Sequence, residues 1–265
     1  MSAEESLRDG DLEQALAQLQ DRVRKNPSDA KLRVFLFQLL CVLGQWERAL
    51  TQLNVAGELD AETLAMVQTY REALNCEVLR KEIFAGKRSP LIFGDPEEWI
   101  ALMLEALRAT ADGQHDRAQE TRNKAFETAP ATSGSLDGQP FGWIADADPR
   151  LGPLLEAIIN GRYYWVPYHR LHAIVIEEPA DLRDQVWLPA TLTFTNGGET
   201  VALLPTRYPG SEDSTESRIR LARLTNWQEV SPGAYIGLGQ RMLATDQAEY
   251  PLMDVREIIL ESANV

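Results

Sequence analysis

Histidine, cysteine and paired carboxylates are the residue types that could bring metal or acid–base chemistry to this chain, and they are few. The three histidines include one close pair, His169-x-x-His172. A zinc ion would need both imidazoles on one side, yet in a strand positions three apart point to opposite faces. No cysteine lies nearby, so no metal site is expected, and His115 belongs to an exposed turn. Asp146-x-Asp148 and Asp181-x-x-Asp184 have carboxylates at ligand-like spacing, but the Gly and Glu of an EF-hand loop do not follow. Asp148, just before Pro149, reads instead as a helix cap, and Asp181 and Asp184 as ion-pair partners of Arg183 or a neighbour.

Nucleophilic and phosphate chemistry have no more support. The sequence holds no GxSxG elbow, no GxxxxGK[ST] loop and no HExxH helix. Gly237-Leu238-Gly239 lacks the third glycine and the strand-to-helix setting of a dinucleotide site. The reading is a non-enzymatic protein without cofactor. Tyr163, Tyr164, Trp165 and Tyr168 with Trp187 suit a core or an interaction hot spot, and core is the expectation for a half-chain that needs such bulk.

Charge narrows the partners. Twenty-six basic against forty acidic residues give a formal net charge of −14, which repels phosphate backbones and anionic lipid alike. The opening residues, MSAEESLRDG, do not form a signal peptide, and the longest apolar run, Leu32 to Leu43, falls short of the roughly 18 residues of a membrane span. A cytosolic protein is expected, with Cys41 and Cys76 as buried small hydrophobes rather than a disulfide. Every basic residue after Lys124 is arginine, ten of them from Arg150 to Arg256. The planar guanidinium suits fixed carboxylate contacts, so structured ion pairs are expected in the second half.

What positions these residues begins with a repeat. GDLEQALAQLQ (10–20) and GQWERALTQLN (44–54) align without gaps at an offset of 34. Gly10 matches Gly44, Ala15 Ala49, Leu16 Leu50 and Leu19 Leu53. A third copy, out of phase, places Gly113, Ala118, Ala125 and Pro130 at the same relative offsets. Such a unit is a helix-turn-helix: glycine takes the turn and small alanine lets two helices approach. Asp29 can cap a helix starting in LRVFLFQLLCVL, and Ala61 to Ala85 reads as one long helix, either a divergent repeat or a spacer. Asp95-Pro96-Glu97-Glu98 reads as a further helix start with Asp95 as cap, giving about six helices through Ala129.

After Pro130 the pattern changes. Residues 131–140 read as a linker, and one more helix is expected from Arg150 to Asn160, ended by Gly161. Then the period falls to two: a strand over Leu171 to Ile176 and a hairpin over Leu188 to Leu204 around Asn196-Gly197-Gly198. Gly210 to Ser217 reads as a mobile loop. The expected class is α+β: a tetratricopeptide-like helical array at 1–130, then a smaller strand-rich domain at 141–265, either a small barrel or a twisted antiparallel sheet.

Longer segments carry a family resemblance. FGWIADADPRLGPLLEAIINGRYYWVPYHR, DLRDQVWLPA, LLPTRYPGS, GLGQRML and PLMDVREI, spanning Phe141 to Ile259, resemble the ImpE/SciE family, also called TagJ. The repeat region and PLIFGDPEEW fit that family's first half. The resemblance implies an accessory component of bacterial type VI secretion that binds an N-terminal helix of the small sheath subunit. It also implies a link to the AAA+ ATPase that dismantles the contracted sheath. No catalytic residue comes with it.

Helical arrays build concave grooves in which an amphipathic helix can lay its apolar face. Candidate lining residues are Val34, Phe37, Gln38 and Cys41 on the early helices, and Trp99, Ile100 and Met103 in the third repeat. The same residues become core if the array packs against the second domain. A general co-chaperone for carboxyl-terminal peptides is the alternative and would need a basic clamp, for which Lys31 and Arg33 are the material at hand. An enzyme of unrecognised type in the strand-rich half is a third reading.

Overall fold

The computed structural model describes residues 2–95 and 97–261. Helix α1 (Ala3–Arg8) starts from a reciprocal cap in which the Ser2 hydroxyl accepts from Glu5 N and the Glu5 carboxylate from Ser2 N. Gly10 turns the chain into α2 (Leu12–Lys25) at φ +82°, and Gly44 turns α3 (Ala30–Val42) into α4 (Trp46–Leu59) at φ +66°. Asp29 caps α3 by accepting from Leu32 N at 3.1 Å. A short 3-10 turn precedes the long α5 (Leu64–Phe84), after which Leu91–Ile92 form strand β1. Helices α6 (Glu98–Ala111) and α7 (His115–Thr128) are the third pair, turned at Gly113 with φ +74°. The repeat alanines Ala15, Ala49 and Ala118 are at most 1 % exposed, as paired helices require.

Two details of this half differ from expectation. Seven helices, not six, precede Pro130 among the described residues, because the acidic start of the chain forms α1. Asp95 does not cap α6; Glu97 holds that position without its side chain accepting from a backbone N–H of the helix, and the Asp95 carbonyl accepts from Arg170 instead. Pro96 lies outside the described residues.

The second half is built on an open, nine-stranded sheet, not a closed barrel. In chain order its strands are β2 (Gly134–Leu136), β3 (Gln139–Phe141), β4 (Ile144–Asp146), β5 (Leu154–Ile159), β6 (Arg162–Pro167), β7 (Leu171–Ile176), β8 (Trp187–Phe194) and β9 (Glu199–Pro205). A short helix α8 (Ser217–Arg220) then leads to β10 (Thr225–Ser231), β11 (Ala234–Gly239), β12 (Met242–Thr245), β13 (Glu249–Pro251) and β14 (Glu257–Leu260). The large sheet runs β1-β6-β5-β9-β8-β7-β14-β2-β3, while β13-β12-β4 and β10-β11 form a small sheet and a ribbon. All pairs are antiparallel except β1 with β6.

Three expectations are corrected here. Residues 150–160 are not a helix: Leu154–Ile159 is strand β5, buried along its whole length. A strand covered on both faces loses its alternation, so LLEAII imitates a helix. Asn160 and Gly161, at φ +48° and +73°, make the tight turn into β6. The 131–140 segment contains β2 and most of β3, paired at the sheet edge. Gly210 to Ser217 is fixed rather than mobile: the buried Ser211 hydroxyl donates to the Tyr208 carbonyl and accepts from Gly239 N at 2.7 Å.

Two apolar clusters sandwich the sheet. One joins the helices to the face carrying Leu154, Ile158, Tyr163, Trp165, Trp187 and Leu203. The other lies beneath the opposite face, around Leu155, Val166, Ile174, Leu188, Leu204 and Ile258.

Candidate docking surface

The inner face of the array is occupied by the protein itself. Phe37 and Cys41 are fully buried, Gln38 nearly so, and Val34 is half-buried. The Phe37 ring meets Tyr70 edge-on at 5.9 Å, and Tyr70 in turn meets Trp187 at 5.7 Å. Trp99, Ile100 and Met103 are likewise at most 3 % exposed. Trp99 donates to Glu97 at 2.8 Å, and its ring lies 6.1 Å from that of His169. The structure thus sets six of the seven candidate lining residues in the core, because the sheet fills the trough that α3, α5 and α6 would otherwise leave open. The basic clamp fares no better: Lys31 is exposed, and the Arg33 guanidinium is spent on the Pro27 carbonyl and on Gln52 at 2.8 Å.

Arginine–carboxylate chemistry locks that seam. Arg80 on α5 grips Glu156 on β5 through Nε at 2.6 Å and Nη2 at 3.0 Å, and it also donates to the Arg207 carbonyl at 2.7 Å. Arg241 reaches the same Glu156 at 3.3 Å and holds Asp146 at 2.6 Å. Burial pushes the Glu156 carboxyl up, but Arg80 and Arg241 outweigh it and hold it below the usual range. Glu77, which accepts from Trp187 Nε1 at 2.9 Å, goes the other way: burial raises it despite Arg80. Arg207 donates to the Val42 carbonyl at 2.8 Å and to that of Cys41 at 3.3 Å, satisfying the buried C-terminal carbonyls of α3. Burial also pushes the Cys41 thiol well up, away from reactivity.

The other titratable candidates have structural partners. Asp148 is no helix cap; it is buried and accepts from Arg150 and from Gly237 N at 2.8 Å. Asp181 pairs with Arg183 as expected, while Asp184 accepts from Ala180 N and Asp181 N. His169 lies in a 3-10 turn, not a strand, and bonds Glu97 at 3.1 Å, whereas His172 is exposed on β7. Tyr163, Trp165, Tyr168 and Trp187 are core.

An open surface lies on the far side of α7. Two adjoining hollows of about 540 and 410 Å³ separate α7 from β4 and the β10-β11 ribbon. Phe126 and Pro149 line both; Arg122, Trp227 and Tyr235 line the first, Trp143 and Pro153 the second. Phe126, Trp143 and Tyr235 are 39 %, 41 % and 45 % exposed, which is unusual for aromatics gathered on one surface. Gly152 tolerates the Phe126 ring only for want of a Cβ, which would fall 2.6 Å from it. A larger hollow of about 740 Å³ between α5 and the β5-β6 turn mixes polar groups such as Gln68, Glu72 and Arg162 with Ile158, Val201 and Leu203.

None of the aromatic-groove residues stands among the candidates read from sequence, though one signal was available. Counting nine residues on from the repeat glycine gives Leu19, Leu53 and Arg122. The leucines are wholly buried, and an arginine replaces them in the third copy.

Comparison with known proteins adds the wider setting. A family described as ImpE protein matches residues 138–259, and a tetratricopeptide repeat matches residues 6–74. The type VI secretion system accessory component TagJ of Pseudomonas aeruginosa is 52 % identical over 261 residues, spanning 98 % of this chain and 92 % of that protein. The crystal structure of protein VPA1032 from Vibrio parahaemolyticus is similar with a TM-score of 0.90 at 25 % identity, covering 99 % of this chain and 98 % of the other.

Proposed function

The chain belongs to the ImpE family, and from that premise we propose that it is a non-enzymatic accessory component of type VI secretion that binds an N-terminal helix of the small sheath subunit. In this reading it works in the cytosol beside the AAA+ ATPase that dismantles contracted sheaths. The observation that carries the accessory role is the 52 % identity to an accessory component along 98 % of the chain. Helix binding agrees with the architecture, since packed helix pairs offer ridges and grooves that receive a further helix. The candidate residues of the inner face are buried but for Val34, so in this reading the partner helix lands on an outer surface. Among the described residues no helix is long and apolar enough to cross a membrane.

A synthetic peptide of the sheath subunit's N-terminal helix, fluorescently labelled, tests the proposal. Its anisotropy should rise as the purified chain is added, with a dissociation constant below ~100 μM. No rise at that concentration would remove the helix-binding reading.

A further inference from the structure

Arg122 is buried, at 8 % exposure against 4 % for Arg80 and 0 % for Arg241 at the seam, but no carboxylate lies within salt-bridge reach of it among the described residues. Its one hydrogen bond goes from Nη2 to Thr110 Oγ1 at 3.1 Å, and its Nε has no acceptor. Asp148, whose field reaches it, is already engaged by Arg150 and Gly237 N. A buried cation left without a counter-charge is costly. The cost is incurred at a repeat position where the two sister copies place buried leucines, so the helix pair itself does not need a charge there. The side chain lines the hollow whose rim carries the exposed rings of Phe126 and Tyr235, and Trp143 extends the apolar rim into the adjoining hollow.

We propose that this groove between α7 and the β10-β11 ribbon receives the partner helix, its apolar face covering Phe126, Trp143 and Tyr235 and one of its carboxylates closing on Arg122. The occupant's identity rests on the reading above; its chemistry rests on the groove. Rings of this size are the usual anchors of a helix in a groove, and a guanidinium buried beside them selects a planar carboxylate. Selection matters in a chain of net charge −14, which otherwise repels acidic segments. An acidic residue set within an apolar helix face is therefore accepted here and disfavoured elsewhere on the surface.

The test uses the full chain and the labelled sheath-subunit helix. Phe126→Ala, Trp143→Ala and Tyr235→Ala should each weaken binding about tenfold, and Arg122→Gln by a similar factor, with unchanged circular dichroism. Glutamine replacement of each acidic residue of the peptide in turn should find one that costs about tenfold against the wild-type chain and nothing further against Arg122→Gln. Wild-type binding that all four variants match overturns the groove and spares the helix-binding reading. Failure of the wild-type chain to bind overturns both. If Arg122→Gln does not fold, the three surface variants decide the groove, and the peptide scan against wild type decides the carboxylate.

Discussion

Arg80 and Arg241 share a buried acid at the seam between helices and sheet, whereas Arg122 on α7, buried but less deeply, shares none among the described residues. The contrast separates two uses of one residue type. At the seam the charge is matched inside the chain: Glu156 takes both guanidiniums, Tyr163 donates to the same carboxylate, and Arg80 caps the Arg207 carbonyl. On α7 the match is absent, and the polar group faces a hollow rimmed by exposed rings. Buried charge fixes a fold when its partner is internal, and it favours association when the partner must come from outside.

The largest expected effect lies at the seam. Glu156→Gln leaves two buried guanidiniums short of a counter-charge and should cost about 3–5 kcal/mol in urea unfolding. A loss under ~1 kcal/mol would mean that the arginines find other acceptors, and the contrast with Arg122 would dissolve. Next, Trp187→Phe keeps most of the ring but strands the Glu77 oxygen it bonds, at an expected cost of about 1–3 kcal/mol. Arg122→Met should go in the opposite direction, unchanged or stabilised by roughly 1 kcal/mol in thermal unfolding, since it removes an unmatched charge from an apolar site. Marked destabilisation would place Arg122 with the seam arginines.

The smallest effect is a pH dependence. The Glu77 carboxyl is raised in the fold, so its contribution to stability is complete below the ordinary glutamate range and is lost as pH rises through the raised value. Glu77→Gln keeps an acceptor for Trp187 without a charge. It should therefore gain on the wild type between about pH 4 and about pH 7, read as urea midpoints at both ends. An advantage that shrinks with rising pH would show the seam's positive charge to be in control.

What the sequence makes legible follows from where each constraint acts. Gly10, Gly44 and Gly113 and their companion alanines announce paired helices because turn geometry and close approach are local demands. Strand alternation around Gly197 announces the β8-β9 hairpin for the same reason. β5 is hidden because its alternation is erased by burial on both faces, and Asn160-Gly161, a hairpin signal, reads equally well as a helix stop. Phe37, Cys41, Trp99, Ile100 and Met103 show the limit at the candidate site: periodicity reveals an apolar face but not what covers it. The second-half arginines do foretell ion pairs, yet that Arg241 meets Asp146 on β4 and Glu156 on β5 is visible only once the chain is folded.

Strand β1 is two residues long, yet it lies in the chain between α5 and α6 and pairs in space with β6 at the margin of the nine-stranded sheet. Free helical solenoids touch only their neighbours and flex like springs. An array riveted at its middle gives up that compliance, so a load applied to α7 passes to the whole sheet as a rigid displacement instead of being absorbed as stretch.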